Sequence, residues 1–266
     1  MNAASLKVFL RRLAVQLCRR LMAVLSRPYE ISRHPALILA PHQDDETLAC
    51  GSLIARKRHE GHEIHIVFLT DGGASHRENA TLPVDELISL RRREALAALE
   101  VLGVDSACVQ FWNEPDGTLN ALSPENRDAL ISRLTALLRT IRPGRVFVPC
   151  SPDGSSEHDP VLGFAEDALA RAGQQSEIWQ YPVWCWWNPV LLLTKILRHG
   201  GIRRLVGEDY HNLKQSALCC YQSQIKPTPP DHSVPLPPEL REFCLQDPEY
   251  FFVTKPSHPQ PPVANG

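Results

Sequence analysis

Residues 36–46 read ALILAPHQDDE, a short apolar run that ends abruptly in His42 and two adjacent carboxylates, Asp44 and Asp45. The residues that follow, 47–57, have the composition of a helix, so the polar cluster is expected between a buried strand and a helix. In open α/β sheets, ligands bind just beyond the carboxyl ends of the strands. Both the position and the chemistry of this cluster therefore predict a functional site.

The side chains of this cluster suit a catalytic metal. A catalytic zinc typically has three protein ligands of the His, Asp or Glu type and keeps one position open for water. Of two neighbouring carboxylates, one can bind the metal while the other accepts a proton from water. Alternatively, Asp44 and Asp45 only cap the helix that follows them. The presence of His42 and of a buried strand before it favours the metal site.

A second strand end offers a third ligand. The apolar residues 145–149, RVFVP, run into the polar loop 150–160, CSPDGSSEHDP, which precedes a predicted helix over 161–171. His158 in this loop is the natural third ligand, and the alternative is a solvated surface histidine. Its position after a second strand end favours the ligand interpretation.

These motifs resemble those of the LmbE-like, or PIG-L, family of zinc-dependent de-N-acetylases. The first family motif, Ala-His-Pro-Asp-Asp-Glu, corresponds to residues 41–46, PHQDDE, and the second, His-x-Asp-His, corresponds to residues 155–158, SSEH. Weaker matches, such as LTDG at 69–72 and PDG at 115–117, follow in the expected order. The resemblance covers about residues 34–255, which is most of the chain.

The resemblance implies a function and a set of site residues. His42, Asp45 and His158 are expected to bind Zn²⁺, or another divalent transition metal, and Asp44 is expected to act as the general base. The expected reaction removes an acetyl group from an N-acetylated amino sugar or glycoconjugate. Because His/Asp/His sites also accept iron or cobalt, the sequence does not fix the metal.

The chain departs from the family at the first histidine of the second motif, where it has Ser155. In the family this histidine stabilises the oxyanion or protonates the leaving amine, whereas a serine hydroxyl cannot act as an acid near neutral pH. His76, in the loop after the next strand, is a candidate substitute, and Asp71 in the same loop could bind a substrate hydroxyl or close a turn. The departure leaves two other functions open: a non-catalytic metal- or glycan-binding relative, and a metal hydrolase of a different amide or ester.

Strands and helices alternate along the chain, which predicts an α/β fold: a Rossmann-like, doubly wound, mostly parallel sheet with helices on both faces. Arg91 and Glu94 are expected to form an ion pair within one helix. We predict three units: an amphipathic basic helix over 1–30, a deacetylase domain over 31–254 and a disordered tail over 255–266. The predicted strands cover 31–40, 61–69, 106–111, 145–149 and 177–184, and the predicted helices cover 46–60, 85–102, 124–140, 161–171 and 211–224.

Composition narrows the class of protein. The 266 residues, 43% of them hydrophobic, are sufficient for one sizeable core. A formal net charge of −2 gives no electrostatic reason to expect binding to nucleic acid. The eight cysteines are mostly isolated and contain no Cys-x-x-Cys pair, which predicts reduced thiols in a cytoplasmic protein.

The first 27 residues differ from the rest of the chain. Leucines recur there at helical spacing among lysines and arginines, and no acidic residue occurs before Glu30. Such a helix could pack on the domain, or it could lie on an anionic membrane. A second basic and aromatic segment, residues 184–204, contains three of the five tryptophans. The sequence therefore raises the hypothesis of peripheral contact with the inner face of a membrane through residues 1–27; it does not indicate the oligomeric state.

Overall fold

A computed structural model describes residues 3–76, 82–198, 201–207, 209–227 and 234–254. The strands are β1 Arg27–Pro28, β2 Ala36–Ala40, β3 Ile64–Thr70, β4 Val109–Glu114, β5 Arg145–Pro149, β6 Glu177–Tyr181, β7 Ile202–Leu205 and β8 Glu249–Val253. The helices are α1 Ala3–Leu25, α2 Asp45–His59, α3 Val84–Val101, α4 Pro124–Ile141, α5 Val161–Ala172, α6 Pro189–Arg198, α7 His211–Leu218, α8 Gln222–Ile225 and α9 Pro238–Leu245. The predicted tail over 255–266 lies outside the described residues.

The strands form one sheet in the order β1-β7-β8-β6-β5-β2-β3-β4. Strand β8 runs antiparallel to its neighbours β6 and β7, while β2 is parallel to β3 and β5. The predicted α/β fold with helices on both faces is confirmed. The sheet is mixed, because β8 returns between two strands that run in the opposite direction. The predicted domain bounds and the cytoplasmic location stay predictions.

Side chains of β2 alternate between two hydrophobic layers. Leu37 and Leu39 pack in a layer with residues of α4 and α5, among them Leu134 and Phe164. Ile38 belongs to the other layer, which includes residues of α1, α2 and α3. Because helices cover both faces, every residue of β2 is buried, which explains why the strand is a continuous apolar run.

Several predicted elements have different ends in the structure. The strand predicted over 31–40 begins only at Ala36, because the carbonyl groups of Ser32 and His34 accept hydrogen bonds from the Lys57 ammonium group. The strand predicted over 106–111 covers 109–114, because residues 106–108 form a 3-10 turn capped by Asp105. The other predicted bounds shift by only a few residues, except near the site.

Two of the predicted elements with wrong bounds lie next to the site. The strand predicted to extend to Trp184 ends at Tyr181, because the next backbone N–H groups turn towards the carboxylate of Asp153. The helix predicted over 211–224 breaks into α7 and α8. The break places the Tyr221 hydroxyl 2.5 Å from Glu46 Oε1, a buried carboxylate at the start of α2.

The strands that carry the two motifs are neighbours. Strand β2 pairs with β5 in parallel, with Ile38 opposite Phe147, so both loops leave the same edge of the sheet. Helix α1 packs on the domain through Val15, Cys18 and Met22. Across the described ranges, no helix combines the length and apolar composition that crossing a bilayer requires.

Candidate active site

The three predicted metal ligands meet at the carboxyl ends of β2 and β5. Asp45 Oδ2 lies 3.4 Å from His42 Nδ1 and 3.3 Å from His158 Nε2. One ligand atom from each residue lies within 4.8 Å of the others. His158 Nε2 is buried and makes no hydrogen bond of acceptable geometry, although a carboxylate is close to it. Two imidazoles and one carboxylate converging in this way form a donor set that fits a divalent metal ion such as Zn²⁺.

The His158 ring is held from behind by Asp153. Asp153 Oδ2 lies 2.8 Å from His158 Nδ1 and accepts a hydrogen bond of 2.9 Å from the backbone N–H of Trp184. The other oxygen, Oδ1, accepts hydrogen bonds from the backbone N–H groups of Val183 and Cys185. This arrangement places the Nδ1 proton against Asp153 and directs Nε2 towards the ligand position, as second-shell carboxylates commonly do.

His42 has a carboxylate partner on a different loop. Its Nε2 lies 3.1 Å from Asp116 Oδ1, and Asp116 Oδ2 accepts a hydrogen bond from the backbone N–H of Ala74. Asp71 Oδ1 accepts hydrogen bonds from the backbone N–H groups of Gly73 and Asp116. Asp71 therefore closes a turn in this structure and holds the Asp116 loop in place.

Asp44 differs from an ordinary helix cap. It directly precedes α2, its side chain makes no capping hydrogen bond, and its backbone φ of 137° lies in a region that favours glycine. Backbone strain of this kind concentrates at functional sites. Arg91 Nη2 lies 3.8 Å from Asp44 Oδ1 and also donates a hydrogen bond to the carbonyl of Gln43. The structure thus directs a guanidinium group towards Asp44.

The predicted ion pair between Arg91 and Glu94 is wrong. Arg91 points towards Asp44, as described above, whereas Glu94 accepts hydrogen bonds from the backbone N–H and the hydroxyl of Ser223. The two side chains therefore connect α3 to different neighbours instead of to each other.

Burial and charge shift the pKa values of the four central groups. Burial alone would lower the pKa of His42, but Asp116 and Asp45 outweigh it and raise that pKa to about 9. Burial would likewise lower the pKa of His158, and the charges of Asp45 and Asp153 raise it to about 10. Burial raises the pKa of Asp44 to about 7, against the opposing effect of Arg91. Burial would raise the pKa of Asp45, but the nearby histidines hold it far below its usual range.

A cavity of about 570 Å³ opens onto these groups. Ser155 lies on its wall, as do several groups able to contact a substrate: Asp116, Glu157, Trp184, Gln224 and Leu236. Neither Asp71 nor His76 is among the described residues that line it. His76 is buried, and its Nδ1 lies 2.9 Å from the hydroxyl of Ser75, which does line the cavity.

Comparison with known families agrees with this geometry. The sequence model of PIG-L, described as GlcNAc-PI de-N-acetylase, matches residues 37–169, half of the chain. The matched segment contains all of β2 but its first residue, together with β5, both motif loops and all three candidate ligands. The chain belongs to the PIG-L family.

Individual relatives are named for the deacetylation of an N-acetylated sugar. A 1D-myo-inositol 2-acetamido-2-deoxy-alpha-D-glucopyranoside deacetylase of Rhodococcus jostii (strain RHA1) is 30% identical in an alignment 172 positions long, which covers 57% of this chain and 57% of the relative. A protein of the same name from Rhodococcus erythropolis (strain PR4 / NBRC 100887) is 28% identical in an alignment 177 positions long, which covers 56% of this chain and 59% of the relative. The chain thus spans somewhat over half the length of these curated relatives.

Solved structures confirm the fold. An N,N'-diacetylchitobiose deacetylase from Pyrococcus horikoshii superposes with a TM-score of 0.65 at 23% identity, covering 90% of each chain. The 4-carboxy-2-hydroxymuconate hydratase GalB from Pseudomonas putida KT2440 superposes with a TM-score of 0.60 at 20% identity, covering 79% of this chain and 82% of the other. At these identities the similarity establishes the fold alone.

The sequence did not reveal the roles of three residues that support this PIG-L site. Asp153 lies only five positions before His158, but nothing in the sequence shows that its partners are the backbone N–H groups of residues 183–185. Asp116 occurs in the PDG match at 115–117, which indicated the family without indicating a contact with His42. Arg91 was noticed, but its helical neighbour Glu94 suggested the wrong partner.

Proposed function

We propose that this chain is a metal-dependent hydrolase that removes the acetyl group from an N-acetylated amino sugar or glycoconjugate. The convergence of His42, Asp45 and His158 at the wall of a cavity carries the proposal. Asp44 lines the same cavity and lies next to this donor set without belonging to it. The PIG-L family model and the names of the relatives support the same chemistry.

In this proposal, His42, Asp45 and His158 hold Zn²⁺, although the donor set also suits other divalent transition metals. Bound there, the metal would polarise the amide carbonyl and would lower the pKa of water towards about 7. The buried nitrogen of His158 that lacks a good hydrogen bond supports this assignment, since a metal would satisfy it.

Asp44 acts as the general base in this proposal. It accepts a proton as the oxygen of water forms a bond to the acetyl carbonyl carbon. The carbon–nitrogen bond then breaks as Asp44 returns this proton to the nitrogen of the leaving amine. The products are acetate and a free amino sugar. Arg91 keeps Asp44 oriented towards the cavity through its contacts with Asp44 and with the carbonyl groups of Gln43 and Gly72.

The cavity wall offers groups for a sugar. Carboxylates and an amide, from Asp116, Glu157 and Gln224, can bind hydroxyl groups. Trp184 offers an aromatic surface on which a sugar ring can stack. Ser155 can donate a hydrogen bond to the substrate, while Asp71 and His76 act from behind the wall by holding the loops that form it.

One observation favours a second function. The cavity presents Ser155 where a general acid would be expected from the family pattern, and the fold is shared with a hydratase. A non-catalytic relative that binds metal or glycan would need no acid at this position, and neither would a metal hydrolase of an ester with a good leaving group. A metal hydrolase of a different amide would take the proton for its leaving amine from another group.

The test is release of acetate from a panel of N-acetylated sugars by the metal-loaded protein. The panel includes N-acetylglucosaminyl-inositol and N,N'-diacetylchitobiose, the substrates in the names of the relatives. We expect Asp44→Ala to lose about 10²-fold or more of the rate, and the matched control Asp105→Ala, at an exposed turn far along the chain, to retain it. Metal binding without acetate release from any substrate would contradict the proposal and favour the second function.

A further inference from the structure

Helix α1 has two apolar faces, and only one of them packs on the domain. Val15, Cys18 and Met22 are buried against the core. A second stripe of large apolar side chains points away from it: Leu17 is 56% exposed and Val24 is 80% exposed. The other exposed members of this stripe are Leu6, Phe9, Leu10, Leu13 and Leu25. A surface helix of a soluble domain normally has polar residues on its outer face.

A second helix, packed against α1, also exposes apolar side chains. Helix α6 packs against α1, with the Cys18 thiol 3.8 Å from the carbonyl oxygen of Pro189. It buries Leu192 and Ile196 but leaves Val190 and Leu197 more than 70% exposed. We call the exposed apolar side chains of α1 and α6, together with the basic residues among them, the apolar-basic surface.

The charged residues that α1 and α6 contribute are all basic, and one of them, Arg12, pairs with Glu242 of α9. Helix α1 contains five lysines and arginines and no acid, and α6 contains Lys195 and Arg198 and no acid. Lys7 and Arg20 are exposed, and neither forms an ion pair with another residue in the described part of the chain. Exposed apolar side chains flanked by unpaired basic groups are the composition of helices that lie in the interface of an anionic bilayer.

We propose that the apolar-basic surface docks on an anionic lipid membrane, with α1 lying parallel to the membrane plane. The apolar stripe enters the boundary between headgroups and acyl chains, while Lys7, Arg20 and Arg198 contact lipid phosphates. A second copy of this chain fits the surface less well, because it would bring the same basic groups against these. The proposal is independent of the reaction catalysed, since no residue of the catalytic site takes part in it.

One short segment joins this surface to the cavity. The Arg11 guanidinium group of α1 lies 3.7 Å from the centre of the Trp187 ring. Three residues earlier, Trp184 lines the cavity, and α6 begins two residues after Trp187. Docking would therefore place the segment that forms one wall of the cavity close to the lipid surface.

The experiment is co-sedimentation of the full chain with vesicles of phosphatidylcholine alone and of phosphatidylcholine with phosphatidylglycerol. The test variant Leu17→Gln/Val24→Gln changes two side chains of the stripe. The matched control, Val84→Gln/Leu213→Gln, makes the same two changes at exposed positions of α3 and α7. Circular dichroism and thermal unfolding verify that each variant is folded, which is expected because all four positions are exposed.

We expect the wild type and the control to bind the anionic vesicles, and the test variant to bind about tenfold or more weakly. Lys7→Gln and Arg20→Gln should each weaken binding about fivefold, and only on anionic vesicles. Absence of wild-type binding, or equal binding by the test variant, would overturn the proposal. A dimer that the test variant dissociates, without any vesicle binding, would overturn it in favour of a second copy.

Discussion

Asp153 gives the sharpest test of how the candidate metal site is held. Its carboxylate is fully buried and accepts four hydrogen bonds: Oδ2 from His158 Nδ1 and the backbone of Trp184, and Oδ1 from the backbones of Val183 and Cys185. The substitution Asp153→Asn keeps the shape and removes the charge. Whichever way the amide is oriented, its NH₂ group faces two N–H donors and loses both hydrogen bonds.

The expected loss follows from this count. Hydrogen bonds to a charged group contribute about 1.5–3 kcal/mol each, and breaking a buried charged pair costs about 3–5 kcal/mol. We therefore expect Asp153→Asn to lower the free energy of unfolding of the metal-free protein by about 3–5 kcal/mol. Because His158 also loses the negative charge that orients its ring, zinc affinity should fall about 10–100-fold.

Denaturant unfolding and competition with a zinc chelator measure the two effects. Asp105→Asn is the control, since Asp105 also accepts a backbone hydrogen bond but lies at an exposed 3-10 turn. It should cost about 1 kcal/mol or less and leave zinc affinity unchanged. A change of less than about 0.5 kcal/mol in stability and less than about twofold in zinc affinity would be far below the expected losses. Such a result for Asp153→Asn would show that Asp153 does not hold the ligand His158 in place.

Three further predictions concern the same site. The pKa values of His42 and His158 are raised to about 9 and about 10 in the metal-free protein, so zinc binding near neutral pH should release about two protons. Below these pKa values, zinc affinity should increase up to about 100-fold per pH unit. Calorimetry in buffers of different ionisation enthalpy measures the number of protons released, and zinc binding without proton release would contradict the prediction. Ser155→His should increase acetate release about tenfold or more if a missing acid limits the rate, whereas an unchanged rate would show that the proton comes from another group. Arg91→Met removes the cation that holds down the pKa of Asp44, so the acidic limb of the pH–rate profile should move to higher pH; an unshifted limb would exclude an electrostatic role for this arginine.

The sequence predicted the parts of the site that depend on strand ends. The runs at 36–40 and 146–149 are apolar throughout because helices cover both faces of the sheet, so each run stops where the chain leaves the core. The polar residues just after such a stop must lie at the edge of the sheet. His42, the Asp44–Asp45 pair and His158 were found in this way. The resemblance to the PIG-L family then implied Asp45 as the ligand, and the structure brings the ligand atoms of His42, Asp45 and His158 together.

The parts that the sequence did not predict depend on loops that meet only in the folded chain. The Trp184 segment looked like a strand because it is apolar, but its N–H groups turn to Asp153. Tyr221 was predicted to be helical, but it lies in the turn between α7 and α8, where its hydroxyl reaches Glu46. In each case a buried carboxylate attracts donors from a distant segment, and local propensity carries no information about such contacts.

The division of roles between the adjacent residues Asp44 and Asp45 is the central claim, and metal binding by Asp44→Asn and Asp45→Asn tests it most directly. We expect Asp44→Asn to bind one zinc per chain with nearly wild-type affinity while acetate release falls about 10²-fold or more. Asp45→Asn should lose most of its zinc affinity, because it removes a ligand. If Asp44→Asn loses the metal, or if Asp45→Asn binds it as the wild type does, the assignment of ligand and base is wrong.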